Sequence, residues 1–195
     1  MLYKLCKTEQ SAKRQRQLEQ GLLEMMCSAR FDDIMISDLC EKLQVPRKSF
    51  YRYFSGKEGA LHALIDHTMM EYEAFSREKQ KGKERCLQLE LEIFFEFWLS
   101  QKTFLDALQK SGLSTILMER VFIYVNSEGV FPVRFMPGDD DQSRRHILTF
   151  AVCGMFSMVL MWHHRKFKES VVNMARLAKR MLDQPLFPDA DALMR

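Results

Sequence analysis

The sequence predicts an all-α fold of about nine helices, and three observations support this. Apolar residues recur at three- and four-residue steps along most of the chain, and no segment shows the alternation of a half-buried strand. Helix breakers are scarce, with 8 Gly and 5 Pro in 195 residues. Hydrophobic residues make up 47% of the chain and charged residues 28%, which excludes a disordered or low-complexity protein.

Three helices are predicted within the first 54 residues. The first runs from Gln10 to Arg30, behind a basic arm, with apolar residues along one face. The second covers just over two turns, from Ile36 to Leu43. Pro46 has a preset φ and no N–H, which suits the first position of a helix, so a third helix is predicted from Arg47 to Phe54.

The fourth predicted helix is long. Ser55 and Glu58 have the spacing of a capping box, and the helical period behind them continues to about Lys79. The remaining helices are predicted at about 83–99, 103–110, 114–126, 142–164 and 170–182. A charge asymmetry ends near residue 60, which divides the chain into domains of residues 1–60 and 61–195.

That asymmetry is an excess of positive charge in the first domain. Residues 1–60 carry 11 Lys and Arg against 8 Asp and Glu, whereas residues 61–195 carry 18 of each. The net charge of +3 therefore belongs to the first domain. Five cations and no acid lie between Lys42 and Lys57. Such a run suits contact with nucleic-acid phosphates, and its alternative is a basic helix that merely faces solvent.

The second and third helices have the parts of a helix-turn-helix: two short helices joined by a three-residue break, the second of them basic. Phe50 and Phe54 lie one turn apart and mark the buried face of the third helix. At about 100° per residue, the opposite face presents Lys48, Ser49 and Arg52. Arg47 projects from the helix N-terminus, where recognition helices meet base edges.

The run from Leu43 to Glu58, LQVPRKSFYRYFSGKE, resembles the end of the DNA-binding domain in the tetracycline-repressor (TetR/AcrR) family of transcriptional regulators. Tyr51, Phe54, Lys57 and Glu58 fall at the spacing of that family. The resemblance covers about residues 12–65 by motif and the remainder by helix number and length. It implies phosphate contacts from Tyr51, Tyr53 and Lys57, and positions at or near base edges for Ser37, Arg47, Lys48, Ser49 and Arg52.

Three positions depart from the family pattern. Gln44 replaces the usual glycine of the turn, Arg30 replaces the glycine after the first helix, and Met35 replaces the hydroxyl residue that caps the second helix. The two glycine losses raise the question of whether the backbone adopts a positive φ at these positions. The second helix is expected to be capped by Asp33 or Ser37 instead.

The last two predicted helices resemble the pair that forms a four-helix dimer interface in this family. The first of them is apolar nearly all round, so it needs cover from a partner subunit or from the core of its own protomer. Methionine and aromatic residues also suit a pocket for a small hydrophobic or amphipathic effector, although most such residues in a helical bundle are simply core. The candidates are Phe94, Phe97, Trp98, Phe122, Met155 and Met158.

Sequence signatures of catalysis or metal binding are missing. The sequence shows no Ser, His and Asp set, no phosphate-binding loop and no dinucleotide fingerprint, and its histidines lack metal-ligand spacing. The chain is therefore predicted to be a non-enzyme without cofactor or metal. Its five scattered cysteines are typical of reduced thiols, and no signal peptide is apparent, which predicts a cytoplasmic location. The apolar stretch from Ile147 to Trp162 is shorter than the about 20 residues of a spanning helix, so no membrane partner is expected.

These features together predict a sequence-specific DNA-binding transcriptional regulator. Residues 1–60 form its helix-turn-helix DNA-binding domain, and residues 61–195 form a helical effector-binding and dimerisation domain. The expected partners are double-stranded DNA with a palindromic operator, a second copy of the chain bound through the last two helices, and a small effector that relieves repression. The alternatives are an activator, a regulator controlled by a partner protein, and a helical interaction protein without DNA binding.

Overall fold

The computed structural model describes residues 2–84, 86–127, 138 and 140–183. Within these residues it is all-helical, with nine α-helices and no strand, which confirms the predicted fold class. A short 3-10 helix, Phe31–Asp33, separates the first two α-helices. The α-helices are α1 (Glu9–Ser28), α2 (Ile36–Lys42), α3 (Arg47–Tyr51), α4 (Lys57–Gln80), α5 (Leu87–Ser100), α6 (Lys102–Lys110), α7 (Ser114–Asn126), α8 (Asp141–His164) and α9 (Val171–Asp183).

The chain forms two compact units. One contains residues up to Glu71 together with α6 and α7, and the other contains Tyr72–Gln101 together with α8 and α9. The chain passes from one unit to the other within α4, between Glu71 and Tyr72. The division into domains of residues 1–60 and 61–195 stays a prediction.

The core of the first unit is built on α1. Leu18, Leu22 and Met26 are fully buried along one face, as the spacing of its apolar residues predicts. Gly21 lies on the same helix, where a Cβ would stand 2.7 Å from the Leu43 side chain, so this glycine permits α2 to pack closely. α1 also packs against α6.

The segment between α1 and α2 is tied to the end of α6. The backbone N–H of Phe31 donates to the Ser111 hydroxyl at 3.0 Å, and both residues are buried. The Lys110 ammonium donates to the carbonyl of Cys27 at 3.0 Å. These two hydrogen bonds fix the exit of α1 against residues about 80 positions later in the chain.

The turn of the helix-turn-helix has a left-handed residue without glycine. Gln44 has a φ of 53°, while the N–H of Val45 donates back to the Cys40 carbonyl at 2.9 Å. Arg30, at the second lost glycine, has an extended backbone with a φ of −72° and needs no glycine. The two departures from the family pattern therefore have different consequences for the backbone.

The capping predictions for two helices are wrong. Met35 precedes the first residue of α2 and no side chain caps this end, so neither Asp33 nor Ser37 takes that role; the Ser37 hydroxyl donates to the Asp38 carboxylate instead. α4 begins at Lys57, one residue later than a capping box at Ser55 requires. The Gly56 carbonyl accepts the N–H of Ala60, and the Ser55 hydroxyl donates to the Leu2 carbonyl. The third helix is also shorter than predicted, because it ends at Tyr51.

The second unit has an aromatic core between α5 and α8. Trp98 and Phe156 lie with ring centroids 4.8 Å apart, and Phe95 lies edge-on to Trp162 at 5.7 Å. α9 packs against α5. Such edge-to-face pairs add about 0.5–1.5 kcal/mol each to the burial of the rings.

The connection between α8 and α9 is short and rigidly held. Lys166 and Phe167 both have left-handed backbones, with φ values of 60° and 54°. The Phe167 ring packs edge-on against Trp162 at 4.8 Å, and the Trp162 indole N–H donates to the Glu169 carbonyl at 3.0 Å. These contacts hold α8 and α9 in a fixed relation.

One described helix, α8, is long and apolar enough to cross a membrane by length and composition alone. Helices in the cores of soluble proteins pass the same test, so this is weak evidence for a membrane span.

Replacing Gln44 with glycine should stabilise the protein. Glycine adopts a left-handed backbone without the steric cost that a side chain adds, and the Gln44 side chain is exposed. We expect a gain of about 0.5–1 kcal/mol in the free energy of unfolding, measured by urea denaturation. Glu41→Gly, at an exposed right-handed position in α2, is the control and should lose about the same amount. A loss of stability in both variants would contradict the left-handed turn.

Candidate nucleic-acid interface

Buried aromatic residues anchor α3 and the turn that follows it. Phe50 is fully buried, and its ring lies 5.1 Å from that of Phe54, which is also buried. Val45, just before the helix, is buried as well. These side chains occupy the inner side of α3 and of the turn that follows it, whereas Arg47, Lys48, Tyr51 and Arg52 are exposed.

Three cations of this segment are exposed and lack an acidic partner. Arg47, Lys48 and Arg52 are all exposed, and no carboxylate among the described residues forms an ion pair with any of them. Lys42 differs, since its ammonium pairs with Glu24 of α1 at 3.0 Å. The five-cation run of the sequence is therefore a smaller cluster of three unpaired charges, which we call the cationic face: Arg47, Lys48 and Arg52.

Four of the predicted site residues line one surface depression. Ser37 comes from the start of α2, Arg47 and Tyr51 from α3, and Lys57 from the start of α4. Tyr51 is 56% exposed, and its ring stands edge-on to Phe50 at 5.5 Å. This support fixes the direction of the Tyr51 ring while leaving much of it accessible. Ser37, Arg47 and Tyr51 thus bring hydroxyl and cationic groups of the kind that bind phosphate oxygens to this depression, which is also lined by Glu58 and by the apolar residues Ile34, Met35 and Ile36.

Lys57 has internal partners as well. Its ammonium donates to the carbonyls of Phe31, Asp32 and Ile34 at 2.6, 3.0 and 2.9 Å. It also lies over the Phe31 ring, 4.6 Å from the centroid. An ammonium has three donors, and the three carbonyls account for all of them. The predicted phosphate contact of Lys57 stays a prediction that must compete with these hydrogen bonds.

The other predicted site residues lie outside this depression. Lys48 is exposed and Ser49 is half-buried on α3. Tyr53 is buried, and it lines a second, neighbouring depression together with Tyr51 and Arg52. Six of the eight predicted residues thus line one or both of two depressions that share Tyr51, whereas Lys48 and Ser49 line neither.

The basic arm before α1 lies against the segment that follows α3. Tyr3 and Phe54 form an isolated antiparallel bridge, with the Lys4 N–H donating to the Tyr53 carbonyl at 2.8 Å. Sequence reasoning predicted the arm but not this position, because a single bridge has no periodic pattern. The arm is thereby placed beside the predicted site.

A buried polar cluster holds the arm to α4 and α7. The Tyr3 hydroxyl donates to Asp66 at 2.5 Å, and the Arg120 guanidinium donates to both oxygens of the same carboxylate, from Nε at 2.8 Å. Burial raises the pKa of Tyr3, and its hydrogen bond to Asp66 raises it further, so the phenol stays a neutral donor. The hydrogen bond that Arg120 donates to the Asp66 carboxylate raises the pKa of Arg120. Asp66 lies 63 residues from Tyr3 and 54 residues from Arg120 in the sequence, so no local pattern could reveal this cluster.

Comparisons with known proteins identify the fold of this chain but not its family. No protein-family model and no curated protein sequence matches this chain. Among solved structures, the fatty acid degradation regulator FadR from Bacillus halodurans has 14% sequence identity and a TM-score of 0.53, covering 93% of this chain and 98% of its own. The dihydroxyacetone kinase operon activator DhaS has 14% identity and a TM-score of 0.52, covering 87% and 93%.

A third similar structure is the transcriptional regulator FadR from Bacillus subtilis in complex with stearoyl-CoA. It has 13% identity and a TM-score of 0.52, and the match covers 88% of this chain and 99% of that one. The chain therefore has the fold of these transcriptional regulators. All three are named as regulators or activators. Among the described residues, no three His, Cys, Asp or Glu side chains come together in a way that could hold a metal ion.

Replacing Lys57 with methionine should destabilise the first unit. The substitution keeps much of the aliphatic stem but leaves three carbonyls without their charged donor, which should cost about 2 kcal/mol in the free energy of unfolding. Urea denaturation measures the loss. Lys102→Met, which removes an exposed pair with Asp106, is the control and should change stability by less than about 0.5 kcal/mol. Equal effects from the two substitutions would show that the Lys57 ammonium does not support the fold.

Proposed function

We propose that this chain is a sequence-specific DNA-binding transcriptional regulator of the tetracycline-repressor type. The observation that carries the proposal is the cationic face, because Arg47, Lys48 and Arg52 lie exposed and unpaired on a short helix anchored by Phe50 and Phe54. The fold shared with solved regulators supports it. We place its action in the cytoplasm, where its DNA target lies.

The proposed contacts divide into two classes. Arg47, Lys48, Ser49 and Arg52 read base edges in the major groove, with Ser37 close by, since the first residues of a recognition helix reach deepest. Tyr51, Tyr53 and Lys57 contact phosphates and set the register of the helix on the duplex. Tyr51 has the best geometry for this role, because its ring is held by Phe50 while 56% of the residue is exposed.

We propose that the functional species is a homodimer formed through α8 and α9. Ile147, Phe150 and Met161 are exposed along one face of α8, at 40%, 64% and 67%. On α9, Leu177 and Met181 are also exposed. Phe150, Gly154 and Met181 line a common apolar groove, and a Cβ on Gly154 would meet nothing within 4 Å. An exposed apolar surface of this kind on a soluble protein marks an interface.

The dimer explains why the proposed operator is palindromic. Two copies related by two-fold symmetry present their recognition helices to successive major grooves, about 34 Å apart on one side of the duplex. Each half-site then has the same sequence, read in opposite directions.

The proposed effector is a small hydrophobic or amphipathic molecule. Phe94, Phe97 and Trp98 are buried in the second unit, and the Trp98 indole N–H is buried without a hydrogen-bond partner among the described residues. Phe122 is instead exposed on α7, and Met155 and Met158 line the groove on α8. A regulator of similar fold is in complex with stearoyl-CoA, an amphipathic molecule. The effector would act by population shift, binding more tightly to a conformation that does not match the operator.

The main proposal is a repressor, and an activator is the second candidate because DhaS, of similar fold, is an operon activator. A reporter gene under an operator selected by this protein separates the two. Expression falls with a repressor and rises with an activator.

Arg52→Ala and Lys48→Ala should each weaken binding to an operator selected from random duplexes. Loss of a base contact costs about 1–3 kcal/mol, which corresponds to a roughly 5- to 150-fold rise in Kd, measured by fluorescence anisotropy. Lys102→Ala, an equal loss of charge on α6, is the control and should leave Kd unchanged. Steep salt dependence without any selected sequence would instead support an interaction protein that meets an acidic surface.

Phe150→Asp should dissociate the proposed dimer. A carboxylate in an apolar interface is costly to desolvate, so sedimentation should show monomers where the unchanged chain sediments as a dimer. Phe122→Asp, at a 54% exposed phenylalanine on α7, is the matched control and should remain a dimer. A shift to monomers with Phe122→Asp alone would place the interface on α7.

A further inference from the structure

The arm, residues Leu2–Thr8, is fixed in one place by several independent hydrogen bonds. The Ser55 N–H and hydroxyl both donate to the Leu2 carbonyl, at 3.0 and 2.9 Å. The Gln15 amide donates to the Lys4 carbonyl at 3.1 Å. With the Lys4–Tyr53 backbone bond and the Tyr3–Asp66 bond, these contacts hold each residue from Leu2 to Lys4. A basic segment without a role in the fold would stay in solvent, because ordering it costs conformational entropy.

Side chains along the arm alternate between the protein interior and solvent, so Tyr3 and Lys4 point in opposite directions. Tyr3 points inward to Asp66 and its ring lies edge-on to His67, 6.0 Å away. Successive side chains of an extended segment point to opposite sides, so Lys4 points outward, and it is exposed. Neither an ion pair nor a side-chain hydrogen bond of the Lys4 ammonium is found within the described part of the chain.

Lys4 and Arg52 line the same shallow depression, beside α3. Tyr51, Tyr53 and Ser55 line it as well, and none of the lining residues is acidic. Two cations that face one depression repel each other unless an anion lies between them. Phenol and hydroxyl groups beside them are further groups that can bind phosphate oxygens.

Gly59 in α4 is the residue that admits the arm. A Cβ at this position would stand 2.2 Å from the Leu2 carbonyl oxygen, a contact that no side chain can make. Elsewhere in the middle of a helix glycine is unfavourable by about 1 kcal/mol relative to alanine. The sequence therefore accepts a weaker helix at the point where the arm crosses it.

We propose that Lys4 and Arg52 together bind a phosphate of the DNA backbone, so that the arm extends the DNA interface beyond the helix-turn-helix. This inference rests on the proposed function. The ligand is a phosphodiester group rather than a base, because a lysine ammonium is a point charge without a fixed hydrogen-bonding fork and the depression is shallow. In this arrangement Arg52 lies at the border between the base edges and the phosphate that Lys4 binds, and it can contact both.

The test measures the salt dependence of DNA binding for variants of Lys4. Each phosphate neutralised adds about 0.9 to the magnitude of the slope of log K against log salt. Because Arg52 shares the phosphate, Lys4→Ala should lower that magnitude measurably, by up to about 1 for each protomer bound. Affinity should fall equally for the selected operator and for random duplexes, because a phosphate contact has no base preference. Lys4→Arg should retain the slope. Lys7→Ala, the same loss of charge in the same arm but outside the depression, should also retain it.

Gly59→Ala provides a second, independent variant. It leaves Lys4 in the chain but displaces the arm from α4, so it should lower the slope as much as Lys4→Ala. The double variant should show no further decrease, because both substitutions remove one contact. Circular dichroism and thermal unfolding of the full chain confirm that each variant is folded.

The outcomes separate this inference from the proposed function. If Arg52→Ala and Lys48→Ala weaken operator binding but Lys4→Ala and Gly59→Ala leave the slope unchanged, the arm does not bind phosphate and the inference is overturned. Equal losses from Lys4→Ala and Lys7→Ala also overturn it, since they indicate diffuse attraction. If neither Arg52→Ala nor Lys48→Ala has an effect, the proposed function fails and the inference fails with it.

Discussion

The contact of the Lys57 ammonium with three backbone carbonyls determines the geometry of the helix-turn-helix. A cation in the first turn of a helix is disfavoured by the helix dipole, so its position at the start of α4 has no local explanation. The explanation lies in the carbonyls of Phe31, Asp32 and Ile34. These acceptors belong to a segment outside α1 and α2, and the Lys57 ammonium donates to all three. The start of α2 is thereby joined to the start of α4, and α3 lies between them in the chain.

Helices could be predicted from the sequence, and the contacts between them largely could not. The nine helices follow from the spacing of apolar residues, and the burial of Phe50 and Phe54 follows from their separation by one turn. The Ser55–Glu58 pattern predicts that α4 begins one residue too early, and the Ser55 hydroxyl donates to the Leu2 carbonyl of the arm. A local sequence pattern cannot reveal a partner more than 50 positions away.

In the candidate site, too, the exposure of side chains could largely be predicted from the sequence, and their contacts with distant residues could not. The exposure of Lys48 and Arg52 agrees with the helical wheel, whereas Ser49, predicted on the same face, is half-buried. Arg47, predicted to project from the helix N-terminus, is exposed. The wheel could not show that Lys42 is paired with Glu24, nor that Lys57 faces carbonyls rather than solvent, because both partners lie on other segments of the chain. Charge counting therefore overstated the number of unpaired cations in this run. The structure reduces the five cations of one run to three that are exposed and unpaired, and it brings Lys4 from the arm to the depression that Arg52 lines.

Gly59 allows this protein to be compared with others of its fold. A Cβ at this position would stand 2.2 Å from the Leu2 carbonyl oxygen, so a larger residue here and an arm in this path exclude each other. A homologue that keeps the arm in this path must therefore keep a glycine at this position. Across diverging homologues, a larger residue here should mark chains whose preceding segment does not cross α4, even where the segment itself has changed beyond recognition.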